Sequence, residues 1–410
     1  MARAPKPVSV PRPRDTGQPG SLKVLQVGGL AGPGAAAGGV WAVAGMQSAA
    51  LRRSGAAVEL LGGWLGALPS GAPGAVSSDP DTAAGCADSE AQEQARLFRV
   101  RRPLPGAKLR GLVSLSLPRY VAMRAASADV VQIHLSRDFI TTVSTAMLRR
   151  AKTPVVAQSH GMLVPSAALS VRLFDAVITR WLVRIPTLWL TLTEDEERGL
   201  RELGVDRARM RRVVNASADS ALAWSDPEQQ VFLFAARLSA RKQPAVFVEA
   251  ALAALDAGLD ARFVLAGPDQ GEGSRVRDLI AASAHSGRFH LPGELTPRQV
   301  QAAMADCTAY VLPARNEPYP MSVLEAAAAG TPLIVTEECG LAGALGAADA
   351  AVLTEPTAGA LCEAMLKLAA DPQRRADLGA NARRLHQELW STERLAENLT
   401  AHYLEASRER

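Results

Sequence analysis

Short apolar runs alternate with longer segments whose apolar positions recur at helical spacing, and the alternation continues along most of the chain. The first run, residues 22–27 (LKVLQV), stops at Gly28-Gly29 and reads as a buried parallel strand. A glycine-rich loop covers 28–39, residues 40–53 have helical character, and Ser54-Gly55 stops them. Residues 57–61 form the next strand. Strand, helix and strand in that order require a right-handed crossover and a parallel sheet. After a loop at 65–92 rich in Gly, Ser, Pro and Ala, the pattern resumes. It predicts a strand at 130–134, a helix at 139–150, and a strand at 154–158 ending in Ser159-His160-Gly161. A further strand at 189–192 leads into Thr193–Glu196, written TEDE. That tetrad predicts a capping box, in which the threonine oxygen takes one orphan amide and the glutamate reaches back to another. Val213-Val214 closes the set.

Residues 215–230 (NASADSALAWSDPEQQ) are polar and lack periodic apolar positions, so a domain boundary falls there. A second series follows, with strands at 231–235, 262–266, 288–291, 308–312 and 333–335. Helices at 244–256, 274–285, 297–306 and 320–329 lie between them, and 372–410 is mostly helical. Pro297 and Pro320 each stand where a first helical turn tolerates proline. The expected division is a basic tail without fold at 1–20, a first domain at 21–218 and a linker at 219–230. A second domain at 231–385 and a final helix at 386–410, packing back toward the first domain, complete it. Two alternating series mean two doubly wound α/β domains. Ligands then bind at the carboxyl ends of the strands, in the crevice between the domains.

Composition refines this picture. The 410 residues are 48% hydrophobic and 21% charged, ordinary for a globular chain, with a net charge of +4. Residues 1–220 hold 28 Lys+Arg against 17 Asp+Glu, a net +11, and the remainder holds 17 against 24, a net −7. Different partners for the two halves follow, with an anionic lipid surface or a phosphorylated acceptor suiting the first. No zinc-finger spacing or arginine-rich recognition helix directs that charge to nucleic acid. Cys86, Cys307, Cys339 and Cys362 form no C-x-x-C pair, and the first twenty residues contain no apolar run of the secretory type. Both point to reduced thiols and a cytoplasmic location, with peripheral contact at the inner face of a membrane left open. The segment nearest to a membrane span, 176–192, is interrupted by Arg180, Arg184 and Pro186.

Three loops after strands carry candidate chemistry. Gly38-Gly39, before the first long helix, lets backbone amides approach a phosphate, although 28–39 is not a G-x-G-x-x-G loop. Arg237 and Lys242 flank a strand-to-helix loop and suit a diphosphate. Glu317 and Glu325 stand eight apart in NEPYPMSVLE. Eight helical steps would separate them by about 12 Å along the axis. That is too far for an acid/nucleophile pair, which sits at about 5–9.5 Å. They are better placed to hold two ends of one elongated ligand through its hydroxyls, with the amides of Met321 and Ser322 near the helix start.

Taken together, Glu317-x7-Glu325 followed by Gly330-Thr331-Pro332, the Arg237/Lys242 pair, Gly38-Gly39 and Ser-His-Gly at His160 resemble the group 1, or family-four, retaining glycosyltransferases of the GT-B fold. The resemblance covers residues 22 to about 404. It implies two Rossmann-like domains facing a cleft and transfer of a hexose-type sugar from a nucleotide-diphosphate sugar, in cell-surface polysaccharide or glycolipid synthesis. By the same resemblance, Arg237 and Lys242 bind the diphosphate, Glu325 holds the ribose, Glu317 contacts the sugar, and His160 faces the sugar near the reacting carbon. The Gly38-Gly39 loop closes on the phosphates. No divalent metal or other cofactor is implied; the one D-x-D, Asp79-Pro80-Asp81, lies in a Ser/Pro/Gly loop. Two departures stand out: Asn215-Ala216-Ser217-Ala218-Asp219 replaces an Asn-Gly-Ile/Val-Asp turn, and Cys339-Gly340-Leu341 replaces a Gly-Gly.

The acceptor side is less specific. A basic stretch (Arg96, Arg99, Arg101, Arg102, Lys108, Arg110, Arg119, Arg124) and a mixture of cations and aromatics (Arg172, Phe174, Arg180, Trp181, Arg184, Trp189) suit an anionic membrane, and a solvated basic surface explains them slightly better. The acceptor stays open between a lipid-linked oligosaccharide, a small thiol or polyol, and a natural-product aglycone. His134 ends a strand much as His160 follows one, and a structural hydrogen-bonding role accounts for it. Three other readings of the whole chain compete. A catalytically silent relative acting as partner or scaffold would keep the same residues. A two-domain binding protein of the periplasmic type needs an export signal and gives no reason for E-x7-E. A phosphorylase needs a cofactor-lysine motif.

Overall fold

The structure, a computed structural model, describes residues 21–31, 38–66, 95–102, 111–163 and 168–408. It contains two parallel sheets. The first holds β1 (Lys23–Ala31), β2 (Ala57–Leu65), β3 (Ala95–Val100), β4 (Val130–His134), β5 (Val155–Gln158), β6 (Leu188–Thr191) and β7 (Met210–Arg212). Their order is β3-β2-β1-β4-β5-β6-β7, and every neighbouring pair is parallel. The second holds β8 (Gln230–Ala235), β9 (Ala261–Ala266), β10 (Phe289–Gly293), β11 (Ala309–Leu312), β12 (Leu333–Thr336) and β13 (Val352–Thr354). Its order is β10-β9-β8-β11-β12-β13, again parallel throughout. Each chain half starts in the middle of its sheet, winds outward one way, then returns and winds the other.

Both faces of the first sheet are covered, which is why its strands read as unbroken apolar runs. Leu25, Val131, Val155 and Trp189 point into one core, and their chain neighbours Val24, Val130, Val156, Leu188 and Leu190 point into another. The second of these cores is closed by Leu395, Ala396, Leu399, Tyr403 and Ala406 of the helix Thr392–Arg408. Those five recur at helical spacing, and the Tyr403 hydroxyl donates to Gln132 Oε1. The helix before it, Pro372–Leu385, packs instead on the second domain through Leu378, Ala382 and Leu385. The chain thus crosses between domains twice, at Ser217 and at Trp390. The crossings are bonded to each other: Ser217 N donates to the Trp390 carbonyl at 3.1 Å, and Ser217 Oγ lies 2.9 Å from His386 Nε2. Residues 224–225 already lie on the second domain, where Trp224 Nε1 donates to the Cys307 carbonyl at 2.7 Å.

Several expectations need correction. Residues 95–100 and 116–125 form β3 and a helix, Ser116–Ala125, where the sequence suggested only a basic stretch. Arg96 and Arg124 both pair with Glu59 at 3.3 Å, and Arg96 lies 4.9 Å over the Tyr120 ring, so both also serve contacts within the domain. Trp189 is buried in the core with Nε1 donating to the Val183 carbonyl at 3.3 Å. The last strand of the first sheet ends at Arg212, before Val213-Val214. Pro320 precedes its helix, which begins at Met321. The capping box at Thr193 is only half formed: Thr193 Oγ1 accepts from Glu196 N, but Glu196 reaches elsewhere. A complete box stands at Thr296 and Gln299, with Pro297 in the first turn. The tail at 1–20, Asp79-Pro80-Asp81, Cys86, Lys108 and Arg110 lie outside the described residues. Among the described residues no helix is long and apolar enough to cross a membrane.

Candidate active site

In the second sheet β8 lies beside β11, although β9 and β10 intervene in sequence. This is the point where the winding reverses, and the loops leaving two such strands part to open a crevice. The loop after β8 carries Arg237 and Lys242; the loop after β11 carries Asn316 and Glu317. Arg315 N donates to the Arg241 carbonyl at 2.9 Å and stitches the two loops together. Lys242 Nζ lies 3.2 Å from Glu317 Oε2, with both side chains largely buried. Burial lowers the Lys242 pKa, the Glu317 carboxylate opposes that, and the nearby Arg237 charge adds to it. Arg237 itself is exposed. Two cations therefore converge on one crevice, one fixed by a carboxylate and the other open to a ligand.

Glu325 lies on the helix Met321–Ala329 and lines a small cavity with Arg237, Gly267, Pro268, Glu294 and Leu295. The cavity measures about 170 Å³. Pockets that enclose whole ligands run to roughly 300–1,000 Å³, so this one is smaller than such pockets. Burial pushes the Glu325 carboxyl up to about 7. Only residues from Met321 onward are helical, so Glu317 rides on the preceding loop and the 12 Å spacing of an all-helical segment does not apply. The Ser322 hydroxyl is engaged inside the domain, 2.6 Å from the Tyr310 hydroxyl. What Met321 and Ser322 can offer a ligand is their amides, which have no carbonyl one turn back.

In the first sheet the reversal falls between β1 and β4. Gly38 and Gly39 open the helix Gly38–Arg53 that follows β1; residues 32–37 of the same loop lie outside the described residues. His134 ends β4, and His160 follows β5. The two histidines are bonded, His134 Nδ1 to His160 Nε2 at 2.6 Å, with parallel rings 4.9 Å apart. Gln26 Nε2 lies 2.8 Å from His134 Nε2. With the Gln26 amide assigned this way round, its nitrogen donates to His134 Nε2, so His134 carries its proton on Nδ1 and donates to His160. The remaining His160 proton then sits on Nδ1. Burial lowers the His160 pKa to about 4 and holds His134 well below its ordinary value, so both are neutral near pH 7.

Backbone strain collects at the same places. Among the described residues, the non-glycine residues with positive φ are His160 (50°), Gln243 (52°), Asn316 (47°) and Asp349 (50°). The first is a candidate itself, the second adjoins Lys242, and the third adjoins Glu317. Such conformations cost of order 1–3 kcal/mol each and persist where the surroundings enforce them, often at functional sites.

Comparison with known proteins assigns both halves of the chain to glycosyltransferase families. A model of the family described as glycosyl transferases group 1 matches residues 223–385, and one described as a glycosyl transferase 4-like domain matches 38–216. The chain belongs to the group 1 glycosyltransferases. It is 30% identical over 239 residues to a D-inositol 3-phosphate glycosyltransferase of Rhodococcus erythropolis, covering 52% of this chain and 53% of that one. It is 27% identical over 179 residues to a GDP-mannose-dependent alpha-(1-6)-phosphatidylinositol dimannoside mannosyltransferase of Mycobacterium tuberculosis, covering 43% and 45%. The chain thus aligns with about half the length of these curated relatives. Its fold is shared with an Anabaena protein solved in complex with UDP, at TM-score 0.68 and 15% identity, covering 94% of this chain and 100% of that one. Sucrose-phosphate synthase from Thermosynechococcus elongatus superposes at TM-score 0.66 and 18% identity, covering 95% and 100%. The two-domain GT-B fold is therefore shared across these proteins.

For a group 1 glycosyltransferase, sequence reasoning overlooked the residues that hold the site in shape. Glu196 is buried, and its Oε1 accepts from the Ser159 hydroxyl and from Gly161 N at 2.8 Å, while Oε2 accepts from Leu192 N at 2.7 Å. It clamps both sides of His160. The signal was present, because TEDE and Ser-His-Gly end neighbouring parallel strands. Gly340, noted only as a departure from Gly-Gly, donates its N–H to the Glu317 carbonyl at 2.9 Å. A Cβ there would stand 2.0 Å from the Pro318 carbonyl oxygen. Gly340→Ala is expected to push the Glu317 loop aside. A displacement near 1 Å can cost about 100-fold in rate, and overpacking costs about 1–3 kcal/mol. Turnover and thermal unfolding of the variant check both effects.

Proposed function

We propose that this protein transfers a hexose-type sugar from a nucleoside-diphosphate sugar to an acceptor held by the first domain, with retention of anomeric configuration. The observation that carries the reading is the convergence of Arg237, the Lys242–Glu317 pair and Glu325 at one winding reversal. In this reading Arg237 and Lys242 neutralise the diphosphate, and the amides of Met321 and Ser322 add a helix N-terminus. Glu325 accepts from the ribose hydroxyls in its small cavity. Glu317, held by Lys242, accepts from a sugar hydroxyl. The bond from the anomeric carbon to the β-phosphate oxygen breaks, and the acceptor oxygen bonds to the same face of that carbon. The acceptor proton passes to the departing phosphate. Stabilisation of the charge growing on that phosphate is the main catalytic effect, and two preplaced cations provide it. His160, neutral with a proton on Nδ1, serves as a hydrogen-bond donor to the sugar rather than as a cation. Gly38-Gly39, at a helix N-terminus, approaches the phosphates from the other domain.

Relatives named for D-inositol 3-phosphate and phosphatidylinositol dimannoside favour a phosphorylated polyol or its lipid-linked form as acceptor. The net +11 of residues 1–220 suits an anionic acceptor, and glycolipid or cell-surface polysaccharide synthesis is the setting such an acceptor fits. The test is release of nucleoside diphosphate from UDP- and GDP-hexoses with inositol phosphates and phosphatidylinositol as acceptors, with the product anomer read by NMR. The reading expects one donor to turn over with its anomeric configuration kept. Inverted product would refute retention, and no turnover of any donor would favour a silent relative.

A further inference from the structure

On the outer face of the first domain a helical run is turned inside out. It consists of Leu169–Phe174, a π turn Asp175–Thr179 and Arg180–Leu182. Its buried positions include Asp175 and Thr179, and its exposed ones include Leu169, Leu173, Val177 and Trp181, spaced four apart. Asp175 is held by a bidentate pair with Arg137, with both bonds at 2.8 Å, and accepts from Thr179 Oγ1 at 2.7 Å. Water outside would favour the reverse arrangement, with leucines inward and the carboxylate outward. Alongside, the helix Phe139–Met147 exposes Phe139, Val143 and Met147 at the same spacing. All seven apolar side chains are exposed, from 38% at Val143 to 78% at Leu169. The Arg149 guanidinium lies 6.0 Å over the Trp181 ring and joins the two stripes.

Charge decides what covers this face. Residues 139–192 contain six Lys/Arg (Arg149, Arg150, Lys152, Arg172, Arg180, Arg184) and one acid, Asp175, which is spent internally. All six basic residues are exposed. An apolar stripe flanked by cations, with a tryptophan among them, matches a helix lying in the interface of an anionic bilayer. We propose that this face docks on an anionic lipid bilayer, with Leu169, Leu173 and Val177 in the acyl boundary and the arginines at the headgroups. Arg137 also donates to the Met162 carbonyl at 2.6 Å, two residues beyond His160. The docked face therefore adjoins the loop assigned to the sugar, and it is there, on the donor reading given above, that a lipid headgroup would enter.

The test is co-sedimentation of the full chain with vesicles of phosphatidylcholine, with and without phosphatidylglycerol. Binding is expected only to the anionic vesicles, and it weakens as salt is raised. Arg172→Ala/Arg180→Ala should weaken it roughly 30-fold, the equivalent of about 1 kcal/mol per basic residue. Leu173→Glu/Val177→Glu should abolish it while leaving the melting temperature and nucleotide binding unchanged, since both side chains are exposed. Nucleotide binding without vesicle binding would overturn the docking proposal and leave the donor reading intact. Vesicle binding unaffected by Leu173→Glu/Val177→Glu would also overturn it. So would a dimer in sedimentation velocity that the same substitution dissociates, which would assign the face to a second copy.

Discussion

Arg237→Ala should lower donor turnover by about 10²–10³, the loss seen when one preplaced donor to a developing oxyanion is removed. Arg237 is exposed, so its melting temperature should hardly move. Lys242→Ala should lose as much activity and also destabilise the fold by about 3–5 kcal/mol, because Glu317 is left buried and without its partner. Lys242→Ala/Glu317→Gln separates the two effects. Removing both charges should recover much of the stability and none of the activity. Thermal unfolding and donor turnover of wild type, Lys242→Ala, Glu317→Gln and Lys242→Ala/Glu317→Gln make a double-mutant cycle. Equal stability of Lys242→Ala and wild type would show that the Lys242–Glu317 pair does not hold this loop.

Glu325 yields the second large effect, and it depends on pH. Its carboxyl titrates at about 7 instead of 4.5 because burial disfavours the charge. A carboxylate accepts from a ribose diol with both oxygens, whereas the protonated acid has lost part of that capacity. Nucleotide affinity of the wild type should therefore rise as pH increases through about 7, and Glu325→Gln should bind weakly with no such rise. Stability moves the opposite way. Between pH 4.5 and about 7 the folded protein holds a proton that the unfolded chain has released, so stability falls as pH rises across that window. Above it the buried charge costs up to about 3 kcal/mol. Glu325→Gln should accordingly be more stable than wild type above neutrality and nearly equal to it near the lower end of the window. Denaturant unfolding at both pH values measures this, and a variant less stable than wild type throughout would contradict the assignment.

The sequence disclosed what is local. Ser54-Gly55 and Pro297 punctuate their own elements, whereas Gly28-Gly29 breaks the register inside β1, which runs on to Ala31; apolar runs buried on both faces identify parallel strands without knowledge of their partners. The E-x7-E segment and the Arg237/Lys242 loop were visible for the same reason: each is one strand-to-helix turn. The strand order that brings those loops together follows from the rule that winding reverses within a doubly wound sheet. What stayed hidden joins distant residues. Glu196 grips Gly161 from 35 positions away, and its local alternative, a capping box, was the more obvious reading. Gly340 matters because it touches Pro318, and no property of the segment around it announces that. Residues 95–100 were masked by their own arginines, one of which, Arg96, serves both the Glu59 and the Tyr120 contact. The inverted helix at 169–182 reads as ordinary amphipathic sequence until the side that faces inward is known.

The central claim is that the crevice around Arg237, Lys242, Glu317 and Glu325 binds a nucleoside-diphosphate sugar. Calorimetric titration with UDP, GDP and their hexose conjugates, slightly above neutral pH, addresses it directly with wild type and Glu325→Gln. One nucleotide should bind the wild type, and the variant should bind it at least about tenfold more weakly, as the loss of a charge-assisted hydrogen bond predicts. No binding of any nucleotide, or equal binding by wild type and Glu325→Gln, would contradict the account.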